Sequence, residues 1–419
     1  MGTMNKGFYG WRVVGAAFVL AMFGWGLGFY GPPVYLHALR ELRGWPVALI
    51  SAAITAHFLV AAMVVANLPA LYRRFGLPAV TKAGGIALSL GIVGWSIARE
   101  PYQLFAATLL SGAGWAALGG AAVNAIVAPW FVRTRPAALS MAYNGSSVGG
   151  VVFSPLWVAA IGLFGFPLAA ALIGVITVVA VWMLADLFFA ASPEQKGLRP
   201  DGDATAADGT PEPQARSLPG RMLWRDRKFL TLTAGMALGL FAQIGLLAHL
   251  FSLLVPALGA QLAGIAMGAA TAAAIAGRTL VGWLMPGGAD RRLFACGSYV
   301  VQIVGVVALM AAGGTNVPLL LAGVLLFGAG IGNGTSLPPL IAQAEFARAD
   351  VARVVPLIIA IAQGSFAFAP AAFGILRSFS PETAGAAAGA APMVFASAVA
   401  IQVLAISAYL LGRRSETAA

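Results

Sequence analysis

The chain has 419 residues, 60% of them hydrophobic and only 9% charged, and its mean hydropathy is +0.88. Soluble domains carry roughly 25% charged residues, so the composition excludes an ordinary soluble fold and makes lipid the solvent. The net charge of +11 lies in short turns between apolar runs, which argues against nucleic-acid binding, and the single cysteine, Cys296, excludes an internal disulfide or a thiolate metal cluster.

An α-helix needs about 20 apolar residues to cross the hydrocarbon, and such runs recur along the whole chain. The roughly ten-residue alternation of a transmembrane β-barrel is absent. Six spans are predicted in the first half, at residues 13–39, 46–71, 77–98, 102–131, 137–163 and 167–190. The first is itself a span, with no separate short signal peptide before it. Next comes "SPEQKGLRPDGDATAADGTPEPQARSLPGRMLWRDRK", rich in Pro, Gly, Asp and Ala and without apolar period. It reads as a cytoplasmic linker over residues 192–228. Six more spans follow at 229–256, 261–286, 291–313, 317–344, 351–378 and 385–411. This gives an all-α membrane protein with bundles at 1–191 and 229–419.

Charge placement predicts the orientation. With a cytoplasmic N-terminus, the inner loops and ends hold Lys6, Arg12, Arg73, Arg74, Lys82, Arg133, Arg135 and the cluster from Arg216 to Lys228. They also hold Arg291, Arg292, Arg348, Arg353, Arg413 and Arg414, whereas the outer side keeps Arg40, Arg43, Arg99 and Arg377. By the positive-inside rule both termini are expected in the cytoplasm, and the membrane is expected to be the inner one. Pro155, Pro338, Pro339, Pro356 and Pro370 are expected to break or bend their helices.

The halves repeat. "LLSGAGWA" at Leu109 has a counterpart in "LLFGAGIG" at Leu325, and "AYNGSSVGG" from Ala142 pairs with "AIAQGSFAFAP" from Ala360. Repeated six-helix halves form substrate sites near the midplane, at the repeat interface. The chain resembles the major facilitator superfamily over nearly its whole length. The turn "NLPALYRRFGLPA" is similar to that superfamily's gating-loop motif G-x-L-x-D-R-x-G-R through Leu71, Arg74 and Gly76, with Pro69 and Arg73 in place of its first Gly and its Asp. The corresponding turn of the second half, "GWLMPGGADRR", keeps Gly282, Leu284, Arg291 and Arg292. "GWRVVGAAF", "LRGWPVALIS", "PWFVRTRPAALSMAYNGSSVGG" and "SPEQKGLRPDGD" look like the bacterial monocarboxylate-transporter and oxalate/formate-antiporter branch.

Arg278 stands out. It is the only Asp, Glu, Lys or Arg between Lys228 and Asp290, and a guanidinium stays charged however it is buried. Lying eight residues before Pro286, it is expected ~12 Å inside the helix end. One reading is an arginine bonded to backbone carbonyls at a helix break. The other is an anion site, because the planar fork matches a carboxylate in two parallel bonds. The resemblance implies the second: in that branch an arginine at this place on the eighth helix binds the substrate carboxylate. No Asp or Glu lies in the middle of any span, so the substrate is expected to supply the compensating charge.

The branch's oxalate carriers have a second buried cation, a lysine on the eleventh helix, where this chain offers Gln363. One fixed positive charge suits a monocarboxylate. Other polar groups expected near midplane are Tyr30, His57, Trp115, Asn144, Gln243 and Asn333. Each could equally be an ordinary interhelical hydrogen bond. His57 and His249 are the candidate proton carriers, since only histidine titrates near neutrality without a large shift.

These residues predict a monomeric secondary transporter of a small organic anion, working by alternating access with proton coupling or anion exchange. No cofactor, metal or nucleic acid is expected, and no P-loop, zinc motif or nucleophile elbow suggests an enzyme. The alternative is a drug/proton antiporter exporting amphipathic compounds, which usually needs a buried acid.

Overall fold

A computed structural model describes residues 8–202, 220–286, 289–379 and 390–413. Lys6, Arg216, Arg414 and the start of the twelfth predicted span (385–389) lie outside the described residues. All regular structure among the described residues is helical. The helices are α1 (Gly10–Gly28), α2 (Gly31–Arg43), α3 (Val47–Phe75), α4 (Leu77–Ile97), α5 (Pro101–Leu118), α6 (Gly120–Val127) and α7 (Arg135–Leu184). After the connection come α8 (Gly220–Leu223), α9 (Arg227–Leu284), α10 (Arg291–Ala311), α11 (Val317–Glu345), α12 (Arg348–Phe366), α13 (Ala369–Ser378) and α14 (Pro392–Gly412).

Among the described residues ten helical stretches are long and apolar enough to cross a membrane, and two of them, of 53 and 58 residues, are double length. At about 1.5 Å per residue each is far longer than the ~30 Å hydrocarbon layer. Both are broken once: α7 at Gly165 (φ 74°, ψ 160°) and α9 at Gly259 (φ 71°, ψ 161°). Glycine enters this region without the steric cost a Cβ imposes. Each double run therefore makes two passes, and the twelve predicted spans are recovered.

Of the five prolines expected to break or bend their helices, four interrupt nothing. Pro155 lies inside α7, Pro338 and Pro339 inside α11, and Pro356 inside α12, none of which is interrupted there. An internal proline removes one backbone hydrogen bond, a loss that buried helices can absorb. Interruptions fall at Phe29–Tyr30 in the first span and at Gly119 in the fourth, and in the eleventh span just before Ala369, as expected from Pro370. Pro370 takes the first turn of α13, where its missing N–H costs nothing.

Two compact units emerge. The first comprises Met1–Gly44 and Ala56–Gly209, the second Trp45–Thr55 and Thr210–Ala419. The opening turns of α3 thus group with the second unit, in which Thr55 Oγ1 accepts a hydrogen bond from the Ala371 amide at 3.1 Å.

In the first unit residues 192–202, the start of the predicted linker, fold onto the bundle. Ser192 and Gln195 bond each other's backbone amides at 3.0 and 3.4 Å, a capping-box pattern. The Asp201 carboxylate accepts from the amides of Val132, Arg133 and Thr134 at 2.9, 2.8 and 3.1 Å and from Thr134 Oγ1 at 2.5 Å. Desolvation raises the pKa of this carboxyl, but those four hydrogen bonds outweigh it and hold the pKa below the usual carboxylate range. A lowered carboxylate pKa adds stability that is present at neutral pH and lost only as pH falls through the lowered value.

In the second unit the basic end is knit around Arg292, whose side chain is 1% exposed. Its Nε and Nη2 meet the two carboxylate oxygens of Glu345 at 2.6 and 2.8 Å. The remaining donors reach Thr231 Oγ1 (3.1 Å), the Tyr409 carbonyl (3.3 Å) and the Lys228 carbonyl (3.0 Å). Asp290 caps α10 through the Arg292 amide and pairs with Arg413.

Candidate functional site

The interruption of the first span exposes three consecutive carbonyls, and each is taken by a side chain. Trp157 Nε1 donates to Gly26 O at 3.2 Å, Tyr35 Oη to Leu27 O at 3.2 Å and His57 Nε2 to Gly28 O at 3.0 Å. With its proton on Nε2, neutral His57 accepts the Ser111 hydroxyl at Nδ1 (2.8 Å), and Ser111 Oγ in turn accepts from Trp95 Nε1 (3.1 Å). His57 is 1% exposed. Its ring stacks on Trp115 with centroids 5.6 Å apart. Phe29, Phe58 and Trp25 surround Trp115 at 6.3, 5.2 and 6.5 Å. Tyr30 is half-buried and joins this aromatic group through Phe29, at 5.1 Å. Three of the four candidates in the first unit therefore meet. Asn144 is exposed on α7, beside Gly145, whose backbone packs against Phe18 of α1.

In the second unit α11 is the seat. Its "GIGNG" stretch (330–334) presents glycines to two neighbours. A Cβ on Gly332 would lie 3.1 Å from Arg278 Nε and 2.5 Å from Ala274 O, both on the second pass of α9. One on Gly334 would lie 2.9 Å from both amide atoms of Gln243, on the first pass of α9. Arg278 and Gln243 are thus brought to alternate glycines that flank Asn333, which is 3% exposed. Arg278 itself is half-buried, six residues from the last residue of α9. It therefore stands about 9 Å from the helix end, closer than the 12 Å expected, because α9 stops at Leu284 and not at Pro286.

Gln243 is held by Gln302, itself bonded by Gln402, two residues that sequence reasoning passed over. Gln302 Oε1 accepts from Gln243 Nε2 at 2.9 Å and from Gln402 Nε2 at 3.1 Å, joining α9, α10 and α14. Each is a lone amide in an apolar run, and that was the available signal. Gln363 is half-buried on α12. His249 is fully buried and donates Nε2–H to the Pro370 carbonyl at 3.0 Å, at the start of α13.

The gating-turn residues separate. Arg74 lies over the Phe75 ring at 5.1 Å, and Gly76 (φ 79°) turns α3 into α4. Arg291 donates to the Leu340 carbonyl, and Arg292 is buried in its ion pair with Glu345. Gly282 is exposed with open space around its Cβ position.

The close seam between α9 and α11 makes a paired prediction. A Cβ on Gly277 would fall 2.0 Å from the Ala329 carbonyl oxygen. Gly277→Ala is expected to cost about 1–3 kcal/mol as the helices part, whereas Gly282→Ala, one turn on, is expected to be neutral or slightly stabilising. Thermal unfolding of the two purified variants in detergent checks this, and equal melting temperatures would contradict the seam.

Comparison with known proteins fits this architecture. The model of the Major Facilitator Superfamily matches residues 13–370. Monocarboxylate transporter 11 of Mus musculus is 30% identical over 178 residues, which are 41% of this chain and 38% of that protein. MFS-type transporter 1 of Ophiocordyceps sp. (strain BCC 1869) is 30% identical over 188 residues, 44% of this chain and 41% of the relative. The match thus spans less than half the length of these curated relatives. Among solved structures, nucleoside transporter NupG superposes with a TM-score of 0.71 at 12% identity, covering 97% of this chain and 100% of that one. A bacterial homolog to the human lysosomal transporter Spinster, inward-facing and occupied, gives 0.71 at 16% identity, covering 97% and 98%. At such identities the structural likeness speaks for the fold alone.

Proposed function

Because the chain belongs to the Major Facilitator Superfamily, we propose that this multi-pass membrane transporter carries a small organic anion, a monocarboxylate above all, by alternating access. The observation that carries the reading is a permanently charged guanidinium in an otherwise apolar pass, seated against Gly332. A planar fork at that level favours a carboxylate over a neutral or cationic cargo. Gln243 and Asn333 would orient the rest of the anion, and Gln363, where a lysine would add a second charge, leaves one fixed cation for one carboxylate. The names of the monocarboxylate-transporter relatives point the same way.

Transport would be driven by an accompanying proton or by exchange for a second anion, in a cytoplasmic membrane with both termini inside and with one chain as the working unit. His57 and His249 each already donate to a backbone carbonyl, so a proton that rides on the carboxylic acid itself is the simpler coupling. Thermal-shift titration of the full chain with a panel of sodium mono- and dicarboxylates tests the reading. At a hundred times Kd, a true ligand stabilises by about 2.7 kcal/mol. Stabilisation by monocarboxylates and not by dicarboxylates is expected. Stabilisation by amphipathic cations alone would overturn the anion assignment in favour of a drug carrier.

A further inference from the structure

Asp201 bonds to groups 67 to 69 positions earlier in the chain, and nothing in a transport site requires it. We propose that residues 192–202 are a strap, pinned by Asp201, which locks the start of the first span, the turn before α7 and the end of the sixth span into one cooperative body. Three sets of contacts carry this.

First, the Asp201 carboxylate gathers three successive amides, from Val132 to Thr134, and the Thr134 hydroxyl just ahead of α7. Those amides have no partner inside the helix they precede, and a carboxylate is the acceptor that bonds them most strongly. Second, the backbone is set up for this placement. Asp201 has φ 61°, the only positive φ outside glycine among the described residues, and Asp is one of the few residues that enter this region readily. Gly202 follows at φ 73°, with its Cβ position 2.9 Å from the Phe8 ring.

Third, the start of the first span shares an aromatic cluster with the turn, and the strap rests on that cluster through Lys196 and Gly202. Phe8 meets Phe131 at 5.6 Å, Tyr9 meets Trp130 at 5.3 Å and Trp11 meets Phe131 at 5.0 Å. Tyr9 also donates to the Leu187 carbonyl (3.0 Å) and carries Lys196 Nζ over its ring at 4.3 Å. Tyr9 therefore touches the end of the sixth span and the strap at once. A local helix cap would involve none of these.

The test is amide hydrogen exchange of the full chain in nanodiscs, which needs no substrate and is independent of the anion reading. Asn adopts the same backbone region as Asp, so Asp201→Asn removes the charge and an acceptor without disturbing the turn. Exchange at residues 132–134 is expected to rise by about tenfold or more, as for loss of charged hydrogen bonds. Peptides covering residues 8–12 and 187–202 should lose protection by a similar factor, while those of the second unit keep theirs. Thr134→Val, which removes one bond of the four, should produce the same pattern more weakly and guards against an unfolded Asp201→Asn protein. Unchanged exchange at 132–134 in both variants would overturn the pin. A rise confined to 132–134 would reduce Asp201 to a local cap and overturn the strap.

Discussion

Replacing Arg278 by alanine is expected to abolish saturable monocarboxylate uptake in proteoliposomes. Truncating one partner of a buried, hydrogen-bonded charge pair costs about 2–5 kcal/mol, which at 1.4 kcal/mol per decade corresponds to roughly 30- to 3,000-fold in affinity. Arg278→Lys keeps the charge and loses the planar fork, so weak residual uptake is expected from it. Gly332→Ala disturbs the seat of the same group, because its added methyl would fall 2.5 Å from the Ala274 carbonyl oxygen, forcing α9 and α11 apart, and 3.1 Å from Arg278 Nε. It should impair binding while leaving the charge in place. Normal kinetics in Arg278→Ala, with the protein folded, would remove the anion site and leave the transporter fold untouched.

The second large effect is expected at Glu345. Arg292 is 1% exposed and Glu345 20% exposed, and their two-fold contact is the main charge compensation at the basic end of the second unit. Removing one member of a buried pair strands the other, at about 3–5 kcal/mol. Because Glu345 is partly hydrated, Glu345→Ala is expected near the lower end, about 3 kcal/mol. For a unit of this size that corresponds to a fall in melting temperature of roughly 6–12 °C. Replacing both residues, Arg292→Met with Glu345→Leu, should be milder than Glu345→Ala alone, since no buried charge is left behind. Calorimetry or dye-monitored unfolding decides it, and a double variant less stable than the single one would show that the pair stabilises for a reason other than mutual charge compensation.

How much of this was legible in the sequence varies with the physics. The spans were, because length and unbroken apolarity are one-dimensional properties; even the breaks at Gly165 and Gly259 fall where the apolar runs were divided. Breaks inside spans were less so. The one before Pro370 was marked by that proline, whereas the one in the first span is held in part by Trp157, which comes from a distant position, and Pro155, Pro338, Pro339 and Pro356, which looked equally disruptive, interrupt nothing. The strap was hidden because residues 192–202 have no apolar period; its signals were the Ser192–Gln195 capping pattern and the Asp201-Gly202 turn. For the candidate site, sequence picks out scarce residue types at one depth but not which of them meet. Gln302 and Gln402 were as visible as Gln243, yet only helix packing joins the three.

The interrupted first span carries a last implication. A continuous α-helix there would reclaim the carbonyls of Gly26 and Leu27 for the amides of Tyr30 and Gly31, so that Trp157 and Tyr35 would have to share or give up their acceptors; Gly28 O would face Pro32, which has no N–H, and so stays open to His57. Straightening would therefore have to be concerted with Tyr35 of α2 and Trp157 of α7. Side chains from three helices thus brace the discontinuity against straightening.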